Sequence, residues 1–358
     1  MLKILVFYSI CMEGDLNSCQ NELHSCGKLN RRKVAARYIS ANQFIMKRVL
    51  FAIFAGALLI GASVSAPAAA LGSSTRSVIP SEVQQIISVD YRQVLNSQTA
   101  TDLHDRVMPD NLKQFENALK GVGIDPQRDI DQLTFAAFRD KSDLRMVGVA
   151  QGQFSLKKVF TRMKARKIAA TKFHTSLIYP MGNGMNMSLL DDSTMLFGDP
   201  TAVKSALSAR DGDIQSLNSN SDILDLMPAV DSGAVWSVLD SKGTQTMMSS
   251  AMGDVAGMSE YQSLSKRLLS SRYAINFGSG VNFDLDVITS DNMTATTLST
   301  LARAGVMFKK TQATGVEKMA LDNMTVDSDS NQLKFHFKSD EKQFQSLINS
   351  DLFAAMIR

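Results

Sequence analysis

Beyond residue 26 the sequence has no cysteine, since Cys11, Cys19 and Cys26 are its only three. Disulfides, thiolate nucleophiles and Cys-based metal sites are thereby removed from the rest of the chain. Histidine is nearly as scarce. Past residue 70, His104, His174 and His336 each stand without a second His or a Cys within five residues, so no zinc site of familiar spacing is present. An excess of one charge is lacking too. The net +3 belongs to the first 70 residues, which hold 8 Lys/Arg and 3 Asp/Glu; of the chain's 38 basic and 35 acidic side chains, 30 and 32 remain beyond them. Bulk-charge binding to nucleic acid or an anionic membrane loses its main support.

Reactive motifs are also missing. No G-x-S-x-G occurs. The S-x-x-K pairs Ser155–Lys158, Ser263–Lys266 and Ser339–Lys342, with Ser290-Asp291-Asn292, imitate acyl-enzyme motifs without the K-T-G that completes them, and read as residues bordering helix starts. Asp327-x-Asp329-x-Asn331 opens like a calcium loop, but Gln332 stands where glycine is needed and Lys338 where a bidentate Glu is needed, so a hairpin turn is expected. Gly121-Val122-Gly123 and Gly182-Asn183-Gly184 lack the further glycines of a phosphate loop. No metal or cofactor is expected.

What is present begins at Met46. Lys47 and Arg48 precede an apolar run over 49–60 and then Ala66-Pro67-Ala68 and Ala68-Ala69-Ala70, the layout of a signal peptide cleaved before Leu71. Residues 1–45 are expected to be a mis-called extension, with translation starting at Met46. The competing reading is an uncleaved anchor, since 49–66 are 18 largely apolar residues, at the short end of a membrane span. No Cys follows the run, which excludes a lipid-anchored form. The expectation is a periplasmic or secreted protein, touching membrane only through this segment.

Apolar periodicity then alternates between two and 3.6 residues. It predicts an α+β fold of two similar β-α-β-β-α-β-β-α halves, with antiparallel sheets and helices packed on one face. A linker is expected over 71–82, a first repeat over 83–215 and a second over 216–358. Strands are expected at 83–94, 132–138, 145–154, 172–181, 185–197, 233–239, 272–278, 281–288, 318–326 and 332–338. Helices are expected at 99–121, after Ser155, after Asp199-Pro200, at 243–269 with a break at Gly253 or Gly257, at 292–309 with Phe308 inward, and after Asp340, where Gln343 completes a capping box. Val94-Leu95-Asn96-Ser97-Gln98 resembles Val238-Leu239-Asp240-Ser241-Lys242 as the end of each leading strand.

Three strands alternate cleanly, with Leu333, Phe335 and Phe337, Tyr273, Ile275 and Phe277, and Phe283, Leu285 and Val287 on the dry side. Their wet side carries Arg272, Asp284, Asp286, Lys334, His336 and Lys338, either a solvated surface or a docking face for a polar partner. Methionine is abundant: of 20, 17 lie beyond the leader. Met185 and Met187 would share a strand face, and Met248 and Met252 a helix face. These four fill an irregular core, line a groove for an apolar ligand, or offer thioethers to Cu(I). The lone Trp236 reads as a core anchor.

The stretch Gly123-Ile124-Asp125-Pro126-Gln127-Arg128-Asp129-Ile130-Asp131, and the run from Ser188 through Leu190-Asp191-Asp192 to Gly198-Asp199-Pro200 and Val203-Lys204, resemble phrases of an uncharacterised family of exported bacterial α+β proteins with no known activity. The resemblance implies an exported α+β protein and transfers no site residues. The function expected is non-enzymatic binding or scaffolding of an unknown protein or small apolar ligand, without nucleic acid. The alternatives are a carrier holding an apolar ligand or Cu(I) among the methionines, and a hydrolase whose site is assembled only by the fold.

Overall fold

The computed structural model describes residues 70–96, 110–140, 143–182, 184–252, 257, 259–277 and 280–350. The extension 1–45, the leader over 46–69 and His104 lie outside the described residues. The first half runs α1 (Ser73–Val78), β1 (Val83–Asp90), α2 (Tyr91–Leu95), α3 (Asp110–Val122), α4 (Pro126–Asp129), β2 (Ile130–Asp140), β3 (Asp143–Gly152), α5 (Leu156–Ala165), β4 (Thr171–Phe173), β5 (Ser176–Gly182), β6 (Met185–Leu189), β7 (Thr194–Gly198) and α6 (Pro200–Asp211). The second runs α7 (Ser221–Leu224), β8 (Val235–Leu239), α8 (Ser241–Met252), α9 (Ser259–Ser265), β9 (Leu268–Phe277), β10 (Val281–Thr289), α10 (Asn292–Gln312), α11 (Gly315–Asp322), β11 (Met324–Asp329), β12 (Gln332–Ser339) and α12 (Glu341–Ile348).

The fold is α+β, and its twelve described strands form one antiparallel sheet in the order β11-β12-β10-β9-β8-β1-β2-β3-β7-β6-β5-β4. The two leading strands pair with each other at the centre, Ile86 opposite Val238 and Ser88 opposite Trp236. Outward from that ladder five strands follow the same order on each side, β1-β2-β3-β7-β6 answering β8-β9-β10-β12-β11, and β5 and β4 extend the first side beyond them. The halves therefore meet through a hydrogen-bonded ladder. Arg139 at the end of β2 bridges them again, donating to Asp240 at 2.7 Å and to Gln84 at 3.2 Å, while Asp240 also accepts from the Gly243 amide that starts α8.

Two cores flank the sheet. The larger lies under α3, α5, α8, α9, α10, α11 and α12 and runs the width of the sheet. The smaller lies on the opposite face, where α1, α6 and α7 cover the central strands through Val78, Val203, Leu207 and Ile223, packed with Ile86, Phe138, Val147, Leu196, Trp236 and Val238. Strands covered on both faces lose alternation: β7 and β8 are buried at every position. Strands β10 and β12, covered on one face, keep it.

Several boundaries differ from expectation. The segment taken as a linker is structural, because Leu71, Val78 and Ile79 are buried and the Leu217 amide bonds the Ile79 carbonyl. Strand β1 stops at Asp90, whose side chain caps α2. The counterpart of Leu239-Asp240 is thus Val89-Asp90, and Val94-Leu95 lies in a helix. The expected strand 172–181 is folded back as β4 and β5 at Phe173-His174-Thr175, with His174 at φ +50°. The expected strand 185–197 turns at Asp191, which accepts from the Ser193 amide and hydroxyl. The expected strand 318–326 begins as α11, which buries Ala320 and Leu321. Phe308 points outward, 58% exposed. The Asp199-Pro200 start and the Asp340–Gln343 capping box form as expected.

Candidate functional site

The pocket lies between α3 and the sheet. Three cross-strand neighbours form its floor: Gly148 of β3 stands opposite Phe135 of β2 on one side and Phe197 of β7 on the other. A Cβ on Gly148 would fall inside the Phe197 ring, so the glycine is what lets that ring lie flat on the sheet. Phe135 then meets Phe197 edge-on at 5.8 Å and 89°. Phe115 of α3 stacks on it from above, centroids 5.0 Å apart. Leu119, Pro126, Ile130, Leu133 and Met195 complete a cavity of about 40 Å³. Such a space takes a few heavy atoms, not a whole drug-sized molecule.

Its polar handle is a single pair. Tyr91 donates from its hydroxyl to Glu116 Oε1 at 3.3 Å, and both residues line the cavity. Burial raises the Tyr91 phenol far above its ordinary range, and the adjacent Glu116 carboxylate raises it further. The phenol thus stays protonated at any physiological pH and serves as a donor, not as a base or nucleophile. Helix α2, which carries Tyr91, is fixed in place by Arg92, whose Nε donates to Asp131 at 2.6 Å and whose Nη2 donates to the Arg128 carbonyl at 2.5 Å. The cavity is thus apolar, with a phenol donor and a carboxylate acceptor among its lining residues.

The four methionines proposed for a groove are not brought together. Met185 and Met187 are fully buried in β6, and Met248 is buried on α8 against β9 and β1. Strand β8, from which α8 descends, stands five strand positions from β6, about 24 Å at ordinary strand spacing. Met185, Met187 and Met248 fill core; Met252 packs at its margin. Among the described residues no three His, Cys, Asp or Glu side chains group as metal ligands.

Arg272, Asp284, Asp286, Lys334, His336 and Lys338 share one face of β9, β10 and β12, on which no helix packs among the described residues. Arg272 pairs with Asp286 at 3.1 Å, His336 Nδ1 lies 2.6 Å from Asp284, and Lys334 reaches Asp329 at 3.2 Å. Lys338 stands opposite Asn282. Its charges are thus largely paired within the face. His174 lies 3.1 Å from Asp211 and 3.4 Å from Asp213. Arg210 first, and then His174, hold the Asp211 carboxyl below its usual range. Among the described residues no hydroxyl hydrogen-bonds to the His174 or His336 ring.

Tyr91, Glu116 and Gly148 were missed by sequence reasoning. Asp90 ahead of Tyr91-Arg92-Gln93 is a readable helix cap, and an isolated glycine within a strand marks a close approach. Nothing in the sequence announces that Phe197 would share a row with Phe135.

No protein-family model matches the chain, and no curated protein matches it. Among solved structures, crystal form I of TP0453 is similar over 78% of this chain and 98% of that one, at 11% identity and TM-score 0.43. Crystal form III of TP0453 is similar over 76% and 96%, at 9% identity and TM-score 0.43. No helix among the described residues is long and apolar enough to cross a membrane.

Proposed function

We propose that this chain is an exported, non-enzymatic binding protein that seats the apolar end of its ligand beneath α3. The observation that carries this reading is the aromatic cavity itself: rings of Phe115, Phe135 and Phe197 around a space closed at one side by the Tyr91–Glu116 pair. A hydrogen-bonding rim over an apolar floor suits a ligand with a polar group near an apolar tail. Export is supported by the basic, apolar and small-residue succession over 47–70 and by a core that takes up the chain at Leu71.

The test uses 1-octanol as probe, whose hydroxyl can donate to Glu116 where a carboxylate would be repelled. A ligand that binds only the folded state raises the unfolding midpoint as its concentration passes the dissociation constant. Octanol should raise the midpoint of the wild-type chain and leave that of Leu133→Phe, which fills the cavity, unchanged. Native mass spectrometry of protein purified from its source should show a small apolar adduct. An equal response in both proteins, or no response and no adduct, would overturn the reading.

A further inference from the structure

One stretch departs from the charge balance of the rest. Residues 144–190 contain eight Lys/Arg and no Asp or Glu. Seven of the eight fall between Lys157 and Lys172, on α5 and the chain leading from it to β4. Helix α5 turns Val159 and Met163 to the core, so the 100° step places Lys157, Lys158, Arg162 and Lys164 around its outer surface. Among the described residues none of the seven comes within 4.0 Å of a carboxylate, although Lys158 is near enough to Asp129 to add, after Arg128, to the lowering of that carboxyl's pKa. By contrast, Arg92, Arg128, Arg139, Arg210, Arg272 and Arg303 each hold an aspartate. The fold even makes room for this unpaired charge. Arg162 lies along Gly123, which sits at φ +92°, and Arg166 lies along Gly121, where a side chain on either glycine would collide with it.

Apolar groups project from within the basic ring. Phe160 is 38% exposed beside Lys157 and Lys164, and Leu177 of β5 is 44% exposed. Lys172 of β4 stands directly opposite Leu177, so the two share a sheet face. Leu177 also shares its face of β5 with Tyr179, on which the Phe160 ring stacks at 6.0 Å. The helix and the hairpin therefore present one continuous surface at the β4 edge. The hairpin turn is pinned from behind by His174 to Asp211 and Asp213 and by Arg210 to Thr175.

We propose that α5 and the β4–β5 hairpin dock this protein on the surface of an anionic phospholipid bilayer. Lysines and arginines surrounding the exposed Leu177, with the partly exposed Phe160 beside it, are the arrangement that places bases among headgroups and apolar groups at the acyl boundary. Nucleic acid fits less well. Phe160 is engaged by Tyr179, and Phe173 stacks on His174 at 4.2 Å, so the aromatic faces that would stack on bases are occupied. This inference stands apart from the pocket beneath α3 and survives its failure.

The full chain is mixed with vesicles of phosphatidylcholine alone or with phosphatidylglycerol, and amide hydrogen exchange is followed over 156–182. Those amides should be protected only on the anionic vesicles, and the protection should fade with added salt. Because the apolar segment over 49–66 is present throughout, the comparison is with Lys157→Gln/Lys164→Gln/Lys172→Gln, three exposed positions with no carboxylate within 4.0 Å among the described residues. At roughly fivefold per charge, its lipid-charge-dependent partitioning should fall about a hundredfold. Leu177→Asn should weaken binding in a way that salt does not change. Equal protection on both vesicle types, no loss in the triple variant, or tighter binding to polyglutamate or single-stranded DNA than to anionic vesicles would overturn the proposal.

Discussion

Replacing Gly148 with alanine should damage this protein more than its size suggests. In a helix or on a strand surface the same change is small, but here the added Cβ enters the Phe197 ring. Phe197 is held by Phe115 stacked on it at 5.0 Å and by Phe135 edge-on at 5.8 Å, and the cavity of about 40 Å³ that the three rings line leaves it little space to shift. Overpacking of a tight core costs about 1–3 kcal/mol. Loss of the ring arrangement adds about 0.5–1.5 kcal/mol. A total near 2–4 kcal/mol lowers the thermal midpoint of a body this large by about 5–12 °C. The assay is thermal unfolding followed by circular dichroism, with Gly148→Ala/Phe197→Leu as the second variant. Shortening the ring should recover part of the loss, so the two changes should be strongly non-additive. A midpoint within about 1 °C of wild type for Gly148→Ala would show that the Phe197 ring is free to move and that the cavity floor is not built as described.

Gly305 lies inside α10 with open space where a Cβ would go, so Gly305→Ala should stabilise by about 0.5–1 kcal/mol in denaturant unfolding. Asp291 caps α10, and hydrogen bonds from Ser290 and Thr294 lower its pKa to about 2. Since the unfolded carboxyl titrates near 3.9, the stabilisation is complete above about pH 4 and disappears as pH falls through about 2. Asp291→Asn should therefore flatten the stability profile between those values, and an unchanged slope would contradict the capping role. Arg139 and Asp240 are about a quarter exposed and join the two halves. A double-mutant cycle of Arg139→Met with Asp240→Asn should give a coupling of about 1–2 kcal/mol by urea unfolding.

Much of the architecture was legible where one physical cause acted alone. The alternation of Leu333, Phe335 and Phe337 placed β12, because that strand has one dry face and one wet one. Asp199-Pro200 and Asp340 with Gln343 marked helix starts through their caps. Elements governed by competing causes were misread. The hairpin of β4 and β5 turns at His174, a residue that adopts positive φ less readily than the Gly or Asn expected of a turn. Helix α11 holds Val316, Met319 and Ala320 at helical spacing, yet so short an apolar run also passes for a strand. The cavity was hidden because it depends on register: Phe135, Gly148 and Phe197 meet only once β2, β3 and β7 are aligned.

Five strands on each side of the central ladder follow one order, the first half adding β4 and β5, but the last helices of the two halves sit differently, and this shapes the sheet face at the β11 end. Helix α6 lays Ala202, Val203, Ala206 and Leu207 into the smaller core, so the strands beneath it could become apolar on both faces, as β7 is. Helix α12 instead sends Phe344, Leu347 and Ile348 into the larger core beside α11. Among the described residues no helix covers the corresponding face of β9, β10 and β12, and its charges pair across strands, Arg272 with Asp286 and His336 with Asp284. Paired charges neutralise one another's fields and give a partner little to hold. The unpaired bases of α5 offer the reverse, a local excess of positive charge with exposed apolar tips. An electrostatic contact is therefore expected at the β4 end of the sheet, and the charge ladder at the β11 end should tolerate substitution of a whole pair, such as Arg272 with Asp286, by uncharged residues with little loss of binding.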